Sequence, residues 1–387
     1  MRSFYKHLLW AVMALVMVSC GESREEAARR DFEEIISRNK AVGLAVVAVK
    51  DGQVVYDQTF GYRDLESQEP WKGDDVLRIA SISKSFTATG ILQLVEQGKL
   101  SLDADVSDIM GFTIRNPHFP DKPITVQMLL SHTSSMSDAN GYFSFDYLHR
   151  EKSSTWEKAW NKYEPGTGYQ YCNLGFNTLG AIIEKVSGVR FDKYISTNIL
   201  EPLGVYANHN VHALDSSRFV KIYTYSRRDS SFRWTRSAYD LAPEALEDYT
   251  LGYSTTLFSP TGGLKISASD LAKVMLMHMN YGTLDGVKIL EKSSSELMQS
   301  ALTDTDHKDE NYGMAIIQTN DLLKGHRLTG HDGLALGAYT AMYWDPEERY
   351  GFVVMTNGCT GVSDNHVFAN ILCESVECLY KNFIEEK

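Results

Sequence analysis

Ser81-Ile82-Ser83-Lys84 places a hydroxyl and an amine three positions apart, at the head of a stretch, 83–97, whose pattern predicts a helix. One helical turn puts both groups on the same face. A helix N-terminus stabilises developing negative charge, and a lysine with a depressed pKa can take a proton from a hydroxyl. The pair could therefore build a nucleophile. Taken alone, it reads more readily as a serine N-cap followed by a solvated lysine.

Tyr171-Cys172-Asn173 lies in a loop that opens a second predicted helix, 176–186. A phenol and an amide two positions apart can point into one cavity, Tyr171 to pass protons and Asn173 to bind a substrate amide. The bland alternative is an aromatic turn capping a core helix. His331-Asp332-Gly333-Leu334 enters a strand pair near the C-terminus. Gly333 would admit a substrate backbone, and the strand edge could supply an N–H to an oxyanion. A lone histidine there is usually structural.

These groups need a rigid frame. The apolar run 43–50, the turn Asp51-Gly52 and the run 53–60 predict one hairpin, and 338–344 with 350–356 around Asp345-Pro346 predict another. A helix precedes the first hairpin, carrying Phe32, Ile35 and Ile36. Another follows the second, carrying Val367, Phe368, Ile371, Leu372, Val376, Leu379 and Phe383. The expectation is an α+β fold: one antiparallel sheet assembled from both ends and flanked by N- and C-terminal helices. A mostly helical lobe, roughly 112–255, would be inserted into it. Within that lobe, 214–250 reads as a solvated loop or hairpin.

Taken together, S-x-x-K, Y-x-N and H-x-G in this order resemble the β-lactamase-related serine hydrolases. That superfamily includes class C β-lactamases, D-Ala-D-Ala carboxypeptidases, D-aminopeptidases and certain esterases. The similarity extends over residues 30–385, through Arg78-Ile79-Ala80, Leu129-Leu130-Ser131-His132-Thr133-Ser134 and Pro260-Thr261-Gly262-Gly263-Leu264. It implies that Ser81 is acylated, that Lys84 and Tyr171 share general-base work, and that Asn173 orients substrate. It also implies an oxyanion hole formed by the Ser81 and Leu334 N–H groups. His331 would contribute positive potential or a hydrogen-bond donor. His132 falls in a segment that is structural in the family.

Two departures narrow the expected activity. Histidine replaces the lysine typical of β-lactamases in the third motif, which favours a peptidase or esterase over a β-lactamase; a penicillin-binding sensor that acylates without efficient turnover is the other alternative. Asp332 stands where a hydroxyl often helps hold a substrate carboxylate, and would repel one.

The formal net charge of −12 argues against a nucleic-acid partner. Arg2 and Lys6 precede an apolar run too short to span a bilayer comfortably, ending in Met17-Val18-Ser19-Cys20, which resembles a lipoprotein signal. The expectation is a signal peptide at 1–19, lipid on Cys20, a polar tether to residue 29 and an envelope location with a membrane anchor. Cys172, Cys359, Cys373 and Cys378 form no disulfide framework or zinc pattern and read as buried free thiols. No metal and no other cofactor is implied; the expected partner is a small-molecule, peptide or ester substrate.

Overall fold

The computed structural model describes residues 23–386, centred on a nine-stranded sheet drawn from both ends of the chain. The N-terminal part supplies β1 (Gly43–Lys50), β2 (Gln53–Asp64) and β3 (Glu69–Pro70). The C-terminal part supplies β4 (Thr303–Asp304), β5 (Asn311–Tyr312), β6 (Ile317–Thr319), β7 (Leu328–Ala335), β8 (Ala338–Asp345) and β9 (Tyr350–Thr356). Their order is β4-β5-β6-β7-β8-β9-β1-β2-β3, with every neighbouring pair antiparallel.

The strand period of two divides the interior into two cores. Along β1, Leu44, Val46 and Ala48 join a cluster with Phe32 of α1 (Arg24–Asn39) and Ile371 of α5 (Asn370–Leu379). Ala45, Val47 and Val49 point the other way, into the cluster holding α2 (Ser83–Glu96), α3 (Asn173–Ser187) and α4 (Ala268–Met279). The same split separates Phe352 and Val354 from Val353 and Met355 on β9. Covered on both faces, these strands read as continuous apolar runs rather than alternating ones.

Helix α2, upstream of the lobe expected at roughly 112–255, packs directly on α3 within it. Gly90 permits this approach: a Cβ there would lie 3.0 Å from Ile183. Between α2 and α3 the chain runs through short helices, Val106–Met110 and Val126–Leu130, and several single 3-10 turns. Within 214–250, Tyr223–Ser226 and Ser231–Trp234 pair as a hairpin.

The expected tether to residue 29 is corrected. Ser23 and Glu26 form a capping box, so helix α1 already starts at Arg24. The signal segment and Cys20 lie outside the described residues. Among the described residues, no helix is long and apolar enough to cross a membrane, and no group of side chains could hold a metal ion. The four cysteines from 172 onward are free thiols.

Candidate active site

Ser81 lies on a 3-10 turn, Ala80–Ile82, that leads into α2. Ala80 has φ +47°, a left-handed conformation costing a non-glycine residue roughly 1–2 kcal/mol. The surrounding chain holds the turn in place. Ile79 N–H donates to Leu264 O at 3.0 Å, and the Thr340 hydroxyl donates to Ile79 O at 3.0 Å. Segment 260–264 is fastened through its carbonyls: Thr87 and Lys84 of α2 donate to Pro260 O and Thr261 O, and Arg78, upstream of the turn, donates to Gly262 O. The Pro-Thr-Gly-Gly-Leu stretch thus serves as an acceptor strip for the nucleophile helix.

Lys84 is fully buried, its Nζ 3.0 Å from Ser81 Oγ and 2.9 Å from Thr261 O. It also lies 4.7 Å from the centroid of the Tyr171 ring. Burial pulls its pKa down to about 7, against the opposing pull of Asp138 and Asp332. Near neutral pH the amine is therefore poised to lose its proton and accept another. The Tyr171 hydroxyl is buried beside Ser81 and makes no hydrogen bond within normal limits. Burial raises its pKa well above the ordinary phenol value, so it remains a phenol. The two groups thus differ in what they can do: Lys84 is suited to accept a proton, and Tyr171 to relay one.

Sequence reasoning missed Asp138. Cys172, the formal N-cap of α3, makes no side-chain cap bond. The Asp138 carboxylate does so from outside, accepting from Asn173 N–H at 2.8 Å and Leu174 N–H at 2.9 Å. It also accepts from Asn173 Nδ2 at 2.8 Å, while Asn173 Oδ1 accepts from the Thr261 hydroxyl at 2.6 Å. One carboxylate therefore caps the helix and orients the Asn173 amide, leaving one amide N–H for a ligand. It lies 35 residues before Asn173, beyond the reach of a local capping signal. The Cys172 thiol faces the same carboxylate at 3.3 Å, and burial raises its pKa well above the ordinary value, which argues against a reactive thiol. His132 packs 4.3 Å from the Tyr171 ring, and its Nδ1 accepts from Cys172 N–H.

Strand β7 supplies the third motif. Leu336-Gly337 turns into β8 with φ +60° and +103°, a type I′ turn that makes Ala335–Ala338 the closing hydrogen-bonded pair. Alternation makes Leu334–Tyr339 a non-bonded pair, so the Leu334 N–H points away from β8. On that side β6 pairs only with residues 328–330, leaving the edge open as an oxyanion site requires.

Two expectations change here. A Cβ on Gly333 would fall 2.2 Å from Ile79 O and 3.1 Å from Ala80 Cβ. The glycine thus admits the nucleophile turn rather than a substrate backbone. His331 contributes neither charge nor a free donor. Its Nδ1 lies 2.6 Å from Asp332 O, which can only accept, so the proton is assigned to Nδ1. Nε2 is left as the acceptor of a long 3.4 Å contact from the Tyr312 hydroxyl. Burial and the neighbouring Lys84 push its pKa down to about 3, so the ring is neutral.

Ser81, Tyr171, Asn173, His331 and Leu334 line one cavity of about 420 Å³. Lys84 lies beneath it and Gly333 behind it; Cys20 is outside the described residues. The Ser81 hydroxyl, a buried amine, a phenol and an open strand edge meet at this cavity, an arrangement suited to a serine hydrolase. The chain belongs to the Beta-lactamase family, whose model matches residues 28–372. It is 26% identical over 356 residues to Penicillin-binding protein 4* of Bacillus subtilis, covering 84% of this chain and 70% of that one. It is 24% identical to Protein flp of Staphylococcus aureus strain N315, over 84% of this chain and 61% of that protein's length. Among solved structures, the octameric penicillin-binding protein homologue from Pyrococcus abyssi superposes with a TM-score of 0.74 at 26% identity, over 92% of this chain and 77% of that one.

Proposed function

We propose that the protein cleaves an amide or ester through an acyl group on Ser81, acting as a peptidase or esterase of the cell envelope. The observation that carries this reading is Lys84 Nζ at 3.0 Å from Ser81 Oγ, with burial holding its pKa near 7. Neutral Lys84 takes the Ser81 proton as Oγ attacks the carbonyl carbon. The developing oxyanion receives the Ser81 and Leu334 N–H groups, which the turn and the open strand edge hold in advance. As the tetrahedral intermediate collapses, the bond to the leaving amine or alcohol breaks, and that group departs with the proton relayed from Lys84 through Tyr171. Water, deprotonated by the same pair, then releases the acid and restores Ser81.

The neutral His331 and the carboxylate of Asp332 support a substrate other than a penicillin, because neither would hold an adjacent carboxylate. The envelope location rests on the lipoprotein-like segment ending at Cys20. Peptides, aryl esters and a chromogenic cephalosporin, assayed side by side on wild type and Ser81→Ala, test the reaction. Turnover of an ester or amide should exceed that of the cephalosporin and fall to background in the variant. Equal rates in both proteins on every substrate would falsify the hydrolase reading.

A further inference from the structure

The cleft around Ser81 differs chemically at its two ends. At one end lie Asp332 and Glu310, with Asp306 on the rim. Glu310 is only 7% exposed; the Thr305 hydroxyl donates to its Oε1 at 2.8 Å, and Oε2 has no hydrogen-bond or ion-pair partner among the described residues. Asp332 receives a long 3.4 Å hydrogen bond from the Tyr343 hydroxyl. None of the three carboxylates has a lysine, arginine or histidine within ion-pair distance among the described residues. His331 is neutral, Lys84 is buried beneath the floor, and His307 is exposed at the rim. Burial raises the pKa of both Glu310 and Asp332, against the opposing pull of His307 on both and of Lys84 on Asp332. Such a group is costly unless a cation joins it.

The opposite end is apolar. Tyr142, Phe143, Leu334 and Ala335 continue into an adjoining cavity of about 670 Å³, lined further by Leu257 and Leu336. That cavity shares none of the three carboxylates. Phe143 and Leu334 are 55% and 60% exposed, and with Leu257 and Leu336 they give this end a contiguous exposed apolar lining. Arg78 borders this end, but its guanidinium is tied to Gly262 O and Ser259 Oγ. Asp240 also borders it.

We propose that the substrate carries a protonated amine at one end, received by Asp306, Glu310 and Asp332, and an apolar group at the other, received by the groove of Phe143, Leu257, Leu334 and Leu336. This assignment rests on the hydrolase reading of Ser81 and names the substrate class for that site. Charge complementarity selects the amine, and the groove orients the molecule across the nucleophile.

The test uses binding to the Ser81→Ala protein, so it does not depend on turnover. Phenylpropylamine, phenylpropanol and phenylpropanoate share one apolar body and differ in the end group. By calorimetry the amine should bind about tenfold tighter than the alcohol, and the carboxylate should not bind detectably. Glu310→Gln and Asp332→Asn, singly and combined, should narrow the gap between amine and alcohol to less than about threefold. The single variants carry the test if melting shows that the double variant does not fold. The proposal is overturned if the alcohol or carboxylate binds as well as the amine, if none of the three binds, or if the gap survives the substitutions. Failure of the hydrolase reading would appear elsewhere, as turnover unaffected by Ser81→Ala.

Discussion

Replacing Lys84 with methionine should lower kcat/KM by about a thousandfold or more, the scale of a lost general base acting on a nucleophile. The methionine fills much of the same volume but cannot accept the Ser81 proton. The wild-type pH profile carries the same information. Lys84 must be neutral to act, and burial sets its pKa at about 7, so kcat/KM should rise through pH 7 and level off above it. Asp138 and Asp332 oppose that depression, so Asp138→Asn should move the rising limb to lower pH. A limb that stays in place would show that the group titrating there is not Lys84. His331, neutral above about pH 3, should add no second limb near 6.5.

Lys84→Met should also change stability, with a definite sign. The folded protein holds Lys84 with a depressed pKa, whereas the unfolded chain protonates it up to about 10.5. Below pH 7 the fold therefore bears the full cost of burying an ammonium, and that cost fades as pH rises toward 10.5. The methionine variant should melt higher than wild type at pH 6, with the difference shrinking by pH 10. A site that loses activity while the fold gains stability reflects a function held against the preference of the core.

Gly333→Val is the second large effect. Its Cβ would fall 2.2 Å from Ile79 O and 2.4 Å from Thr340 Oγ1, the two atoms whose hydrogen bond holds the nucleophile turn to the sheet. Neither neighbour is a flexible side-chain end, so the turn must move. The expected cost is about 3 kcal/mol or more, at or above the upper end for overpacked cores, with a melting temperature lowered by several degrees. Activity in the surviving folded fraction should fall about a hundredfold or more, since Ser81 is carried by the displaced turn. Gly333→Ala should show the same changes at smaller size. Wild-type melting and turnover in both variants would contradict the role assigned to this glycine.

Much of the frame was legible because its signals are local. Asp51-Gly52 adopts positive φ at both residues, as a two-residue hairpin turn requires, and the apolar runs on either side pair as expected. Ser81 and Lys84 are one turn apart, so their spacing implied their contact. What escaped depended on distant chain. Asp138 caps α3 across 35 residues, and Thr261 O accepts from Lys84 across 177. The partner of Gly333 was misassigned because a glycine announces close approach without naming what approaches. The charge of His331 stayed open because it is set by burial and by the Asp332 carbonyl, neither visible in a motif. The packing of α2 on α3 was likewise hidden, because the two helices lie far apart in sequence.

The central claim is the acyl-enzyme on Ser81, and its most direct measurement is the mass of the protein during turnover. Wild type mixed with an aryl ester should be quenched in acid at steady state, weighed intact and then mapped by peptide. The expected result is an acyl increment confined to the peptide containing Ser81, formed more slowly in Lys84→Met and absent in Ser81→Ala. An increment on another residue, or undiminished hydrolysis by Ser81→Ala with no adduct, would contradict it.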